Sequence, residues 1–134
     1  MKKEIVVAAD IDNLELIINT VSEQMKQADF SPKQVMQISM AVEEIFVNIA
    51  KYAYSPEKGD VSIVMADYES SMTIEFSDSG KPYNPLEKDD PDLTLSADER
   101  QIGGLGIYMT KSLADAVKYS YKDGKNILKI IKNK

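Results

Sequence analysis

The sequence predicts an α+β two-layer sandwich, with three main helices on one face of a mixed, mostly antiparallel sheet. Three observations carry this. Two long segments repeat apolar residues every three or four positions, as amphipathic helices do. Later segments pair as strands around short polar turns. The element order is strand, two helices, two strands, a long loop, a helix and two strands, which stacks helices on a sheet. The 134 residues, 43% hydrophobic and 28% charged, suit one domain spanning 1–134 with a single core.

Glu4 to Ala9 is the first expected strand. Asp10 and Asp12 supply N-cap character for a helix over about residues 12–28, with Leu14, Ile17, Ile18, Val21 and Met25 on one stripe. Ser31-Pro32 pairs an N-cap with a first-turn proline and opens a second helix. Val35, Ile38, Val42, Ile45 and Ile49 give that helix its core face, and it is expected to reach about Tyr54 before Ser55-Pro56-Glu57-Lys58-Gly59 stops it. Strands near 60–68 and 72–78 flank a turn at Glu69-Ser70-Ser71. From about 81 to 102 the chain carries Pro82, Pro85 and Pro91, many acids and few apolar residues. A stretch this long without secondary structure predicts a lid, a binding loop or disorder. Helix is expected again from Gly103 to Asp115, followed by a hairpin of Val117 to Tyr121 and Asn126 to Ile131.

Composition excludes several chemistries. A net charge of −6 opposes sequence-independent binding of nucleic acid, which depends on Lys and Arg neutralising phosphates. It does not oppose a single nucleotide, whose charge Mg²⁺ and backbone N–H groups can offset. The chain has no cysteine and no histidine. That removes disulfides, thiolate metal sites, Ser-His-Asp catalysis and a phosphohistidine on this chain. The apolar run after Met1-Lys2-Lys3 is shorter than the roughly 7–15 residues of a signal peptide. No stretch approaches the roughly 20 apolar residues of a membrane span. The expectation is a soluble cytoplasmic protein.

Three motifs could carry chemistry. Glu44 and Asn48 lie four residues apart, one above the other on the flank of the second helix's apolar stripe. An Asn carbonyl there can ligate Mg²⁺ and a carboxylate can take a proton; an exposed Glu beside a helix-flank Asn is the alternative. Lys51, one turn further on, could reach phosphate, while Glu43 falls on the opposite flank. In the strand ending at Asp78, that carboxylate keeps the parity of Met72, Ile74 and Phe76 and so points to the core face. A buried carboxylate needs a partner, such as the amine of adenine; capping of the Ser79-Gly80 turn is the competing explanation. Gly103-Gly104-Leu105-Gly106 precedes a helix, where backbone N–H groups can cradle an anion or simply make a tight turn. It is neither a Walker A loop nor a dinucleotide fingerprint.

The order E-x-x-x-N, D-x-G, loop, G-x-G resembles the ATP-binding domain of the GHKL superfamily, with the Bergerat ATP-binding fold. Over nearly its full length the chain looks like the small bacterial anti-sigma factor serine/threonine kinases. The resemblance rests on Ala41 to Tyr54, Phe76 to Pro85, Gly103 to Ile107 and Gly124-Lys125-Asn126. It implies ATP and Mg²⁺ as cofactors, with Asn48 on the metal and Glu44 as general base. Asp78 would bind the adenine amine, with Gly80 allowing close approach of the base. Gly104, Leu105 and Gly106 would line the phosphates beneath a lid of residues 81–102, and Lys51 and Asn126 match positions near the nucleotide. Tyr52 departs from the family, which often has histidine there. Arg100, the sole arginine, sits in the expected lid as a phosphate or partner contact or a solvated charge. The implied activity is phosphorylation of an anti-anti-sigma (STAS-type) partner, coupled to binding of a sigma factor, by a homodimer. A nucleotide-dependent binding module without kinase activity is the alternative, and an α+β interaction domain without ligand a third.

Overall fold

A computed structural model of the chain describes residues 2–54, 59–84 and 110–134. The first strand, β1 (Lys2–Ala8), leads into a single 3-10 turn at Ile11–Asn13. Asp10 caps that turn, its carboxylate accepting the Asp12 N–H at 2.9 Å. Helix α1 (Leu14–Gln27) follows, then α2 (Pro32–Asn48). Ser31 and Gln34 form a reciprocal capping box at the start of α2. A cap of this kind stabilises by about 1 kcal/mol.

Beyond Asn48 the helix does not continue as the regular α-helix expected to Tyr54. Residues Ile49–Ala53 form a π-helical turn. Such wider turns are rare and concentrate at functional sites. Strands β2 (Asp60–Asp67) and β3 (Ser71–Asp78) make one hairpin, and β4 (Ala116–Lys122) and β5 (Lys125–Asn133) the other. Asp123 and Gly124 both take positive φ, 54° and 77°, the backbone a two-residue hairpin turn requires. Of the third helix expected to reach Asp115, residues 110–115 are described; 110–113 are helical and 114–115 form a bend.

The five strands lie in the order β1-β2-β3-β5-β4. Every pairing among the described residues is antiparallel, whereas a mixed, mostly antiparallel sheet was expected. Placing β5 between β3 and β4 joins the two hairpins into one sheet. The helices cover one face. Ile17, Val21 and Met25 of α1 and Val35, Ile38, Val42 and Ile45 of α2 are buried against it, while Leu14, Ile18 and Ile49 pack at the margin. Phe46 and Phe76 are fully buried, each stabilising the core by about 1.5–3 kcal/mol.

Register places the site. On the core face, Ile63, Phe76 and Leu128 form one cross-strand row, and Met65, Ile74 and Ile130 another. The row at the end of β3 is Val61, Asp78 and Asn126. There the covered face changes from hydrocarbon to a carboxylate beside a carboxamide.

Candidate nucleotide-binding site

The polar end of this face opens into a cleft between the sheet and the end of α2. Ile45, Ile49, Phe76 and Leu128 supply apolar walls. Asn48, Asp78, Lys81 and Asn126 supply polar groups, and Tyr52, Tyr83 and Tyr119 line it with rings.

Asp78 is 6% exposed, as its strand parity predicts. Its Oδ1 accepts two N–H groups, from the Gly80 backbone at 2.9 Å and from Asn126 Nδ2 at 3.0 Å. Of the two alternatives drawn from the sequence, the turn cap is the one the structure contains. Oδ1 caps the Ser79-Gly80 turn, and Oδ2 has no partner among the described residues. A buried carboxylate oxygen left facing a cleft is a strong acceptor for a ligand N–H.

Asn126 is 7% exposed and saturated by protein partners. Its Oδ1 accepts the Tyr83 N–H at 3.0 Å and the Tyr119 hydroxyl. Its Nδ2 donates to Asp78 Oδ1 and, at 2.8 Å, to the Lys81 carbonyl. The sequence grouped Asn126 with the nucleotide contacts. In the structure it lines the cleft and holds Asp78 and the chain leaving β3. Its own parity with Leu128 and Ile130 is the signal that would have placed it opposite Asp78.

Asn48 donates from Nδ2 to Glu44 Oε1 at 3.3 Å, so the two residues pair as their helical spacing predicts. Asn48 also lines the cleft, and its carbonyl oxygen is not engaged by Glu44. Glu44 is half-buried. Lys51 is exposed and does not line the cleft; across the π-helical turn, Tyr52 and Ala53 do. Tyr52 is 53% exposed at the mouth. Gly80 makes its close approach to the polypeptide itself. A Cβ there would run into the Ala53 carbonyl, which accepts the Lys81 N–H at 3.0 Å. The sequence reading missed Tyr54, whose hydroxyl donates to the Asp60 carbonyl at 2.6 Å and accepts the Ser79 N–H at 2.7 Å. It also gave no role to Tyr119. Gly104, Leu105, Gly106, Arg100 and the expected lid beyond residue 84 lie outside the described residues.

A helix-covered antiparallel sheet with a carboxylate at the head of an open cleft defines a class, and comparison with known proteins names it. Residues 7–132 match the histidine kinase-like ATPase domain, and the chain belongs to that family. Within it, the chain is similar to the serine-protein kinase RsbW of Listeria monocytogenes, 28% identical over 107 residues, covering 76% of this chain and 68% of that protein. It is also similar to RsbW of Bacillus cereus, 24% identical over 131 residues, covering 95% and 82%. Among solved structures it matches the RsbU and RsbW domains of a Mycobacterium tuberculosis protein, with a TM-score of 0.69 and 14% identity. That match covers 98% of this chain but 32% of the larger one, and it bears on the fold alone. Among the described residues no helix is long and apolar enough to cross a membrane.

Proposed function

We propose that the chain is an ATP-dependent serine/threonine protein kinase that binds a sigma factor and phosphorylates an anti-anti-sigma partner. The observation that carries this reading is the cleft-lining Asp78 carboxylate, with one oxygen held by two N–H groups and the other without a partner among the described residues. Adenine offers an amine N–H to such an acceptor. Asn48 fits a metal for a separate reason: its amide N–H is engaged by Glu44, leaving a carbonyl oxygen to ligate. No group of three acidic side chains capable of holding a metal exists among the described residues. One amide oxygen, completed by phosphate oxygens and water, suits Mg²⁺. When bound, the ion would neutralise triphosphate charge.

The chain's own residues do the remaining work. Asp78 orients the base, and the apolar walls exclude water from it. Glu44, beside Asn48, takes the proton of the attacking serine or threonine hydroxyl as its oxygen bonds to the γ-phosphorus and ADP leaves. Phosphoryl transfer needs mainly positioning and charge stabilisation, so one base and a held nucleotide suffice. Gly104, Leu105 and Gly106 fit the phosphate-binding part by sequence, with Lys51 at its edge and residues 81–102 as a lid. The relatives' description as serine-protein kinases supports transfer to protein, and the family resemblance supports a cytoplasmic homodimer.

Incubating the chain with labelled ATP, Mg²⁺ and a cognate anti-anti-sigma protein tests the proposal. Label on a serine or threonine of that partner is expected. ATP binding without transfer would instead leave a nucleotide-dependent binding module of the same fold.

A further inference from the structure

We propose that Asn126 is a positioning residue that fixes the rotation of the Asp78 carboxylate and thereby sets the preference for adenine over guanine. The inference rests on the proposed nucleotide site and goes one step beyond it. Asp78 and Asn126 are direct cross-strand neighbours on β3 and β5. The orientation of the carboxamide is dictated by what surrounds it. Two donors, the Tyr83 N–H and the Tyr119 hydroxyl, converge on its oxygen, and two acceptors, Asp78 Oδ1 and the Lys81 carbonyl, face its nitrogen. Reversing the amide would set donors against donors and acceptors against acceptors. All four of its hydrogen-bonding positions are thus filled by protein, and none remains for a ligand.

The consequence falls on Asp78. A carboxylate can turn about its last bond and exchange its two oxygens. Here the Gly80 N–H and Asn126 Nδ2 together hold Oδ1, so Oδ2 is the oxygen this cleft-lining side chain keeps as a pure acceptor. Adenine presents an amine donor at its six-position, whereas guanine presents a carbonyl oxygen there. A carboxylate locked in this attitude favours the first and repels the second. Because Asn126 also holds the Lys81 carbonyl and the Tyr83 N–H, the same amide ties the chain leaving β3 to the base-recognition carboxylate.

The isosteric Asn126→Asp variant gives a readout that loss of packing would not. It replaces the donor nitrogen by an oxygen facing Asp78 Oδ1 and the Lys81 carbonyl. Two carboxylates about 3 Å apart cannot both ionise cheaply, so the pair retains one proton to higher pH than either would alone. The other titratable groups about it are Tyr119 from β4, Lys81 and Tyr83 after β3, and Tyr52 across the cleft. When the pair holds a proton, the new carboxyl donates to Asp78 and restores the lost bond. When it does not, the two repel and Asp78 turns away.

The experiment is calorimetric titration of wild type, Asn126→Asp, Asn126→Ala and Asn126→Thr with Mg-ATP and Mg-GTP between about pH 5.5 and about pH 8.5, with folding checked by circular dichroism. At the alkaline end Asn126→Asp should bind ATP about ten- to hundredfold more weakly than wild type. The ratio of variant to wild-type Kd should fall steadily toward the acid end. Asn126→Ala should lose ATP affinity about tenfold at every pH and lose most of its preference over GTP, while Asn126→Thr, which keeps a donor, should retain that preference. A pH-independent Kd ratio for Asn126→Asp, or an unchanged ATP-to-GTP preference in Asn126→Ala, would overturn the inference while leaving the nucleotide site standing. Absence of ATP binding by the wild type would remove both.

Discussion

Gly80 sits against the backbone carbonyl of Ala53, where the π-helical turn after α2 meets the end of β3. The approach leaves no room for a Cβ and lets the Lys81 N–H bond that carbonyl at 3.0 Å. This lock ties the end of the helix to the end of β3, and Asn48, Ala53 and Asp78 line the same cleft. Backbone atoms cannot swing aside as a flexible side chain can. Gly80→Ala is therefore expected to destabilise the fold by about 1–3 kcal/mol, lowering Tm by several degrees. An unchanged melting curve would mean the lock is not a constraint.

Glu44→Gln separates binding from chemistry. The amide keeps the size of the side chain and can still meet Asn48, but it cannot accept the hydroxyl proton. ATP affinity should stay within about threefold of wild type, while transfer to the partner falls by about a hundredfold or more. Transfer at the wild-type rate would remove Glu44 as the base.

Asn48→Ala removes the carbonyl oxygen assigned to the metal and the N–H that holds Glu44. The gain in nucleotide affinity on adding Mg²⁺ should shrink by about tenfold relative to wild type in paired titrations with Mg²⁺ and with EDTA. An undiminished Mg²⁺ effect would place the ion elsewhere.

Tyr54→Phe deletes one hydroxyl that serves two backbone groups, the Asp60 carbonyl and the Ser79 N–H. Its ring remains wedged beside Gly59, so the change isolates the two hydrogen bonds. A loss of about 1–2 kcal/mol in urea unfolding is expected. No loss would show that the connection between β2 and the end of β3 does not depend on this bridge.

Much of the fold was legible because local chemistry and tertiary packing agree. The Ser31-Pro32 start of α2, the stripe through Ile17, Val21 and Met25, and the Asp123-Gly124 turn each follow from a residue-level cause that the structure preserves. Asp78 was legible because strand parity is a two-residue rule, and one misplaced carboxylate stands out on an apolar face. The π-helical turn was not. Its Ala53 carbonyl is bonded by the Lys81 N–H from a distant part of the chain, and nothing in Ile49-Ala50-Lys51-Tyr52-Ala53 departs from helical spacing. That shift places Tyr52 and Ala53, rather than Lys51, at the cleft. The strand order was hidden as well, since hairpin signals name neighbours in sequence and the β3–β5 pairing joins residues as far apart as Ser71 and Asn133. Asn126 acquires its meaning only through that pairing.

The central claim is that the cleft holds ATP by its base on Asp78 and its metal on Asn48. A crystal structure with a non-hydrolysable ATP analogue and Mg²⁺ tests it most directly. The account predicts the adenine amine within hydrogen-bonding distance of Asp78 Oδ2 and the ion on the Asn48 carbonyl oxygen. A nucleotide whose purine lies away from Asp78, or whose metal has no contact with Asn48, would contradict it.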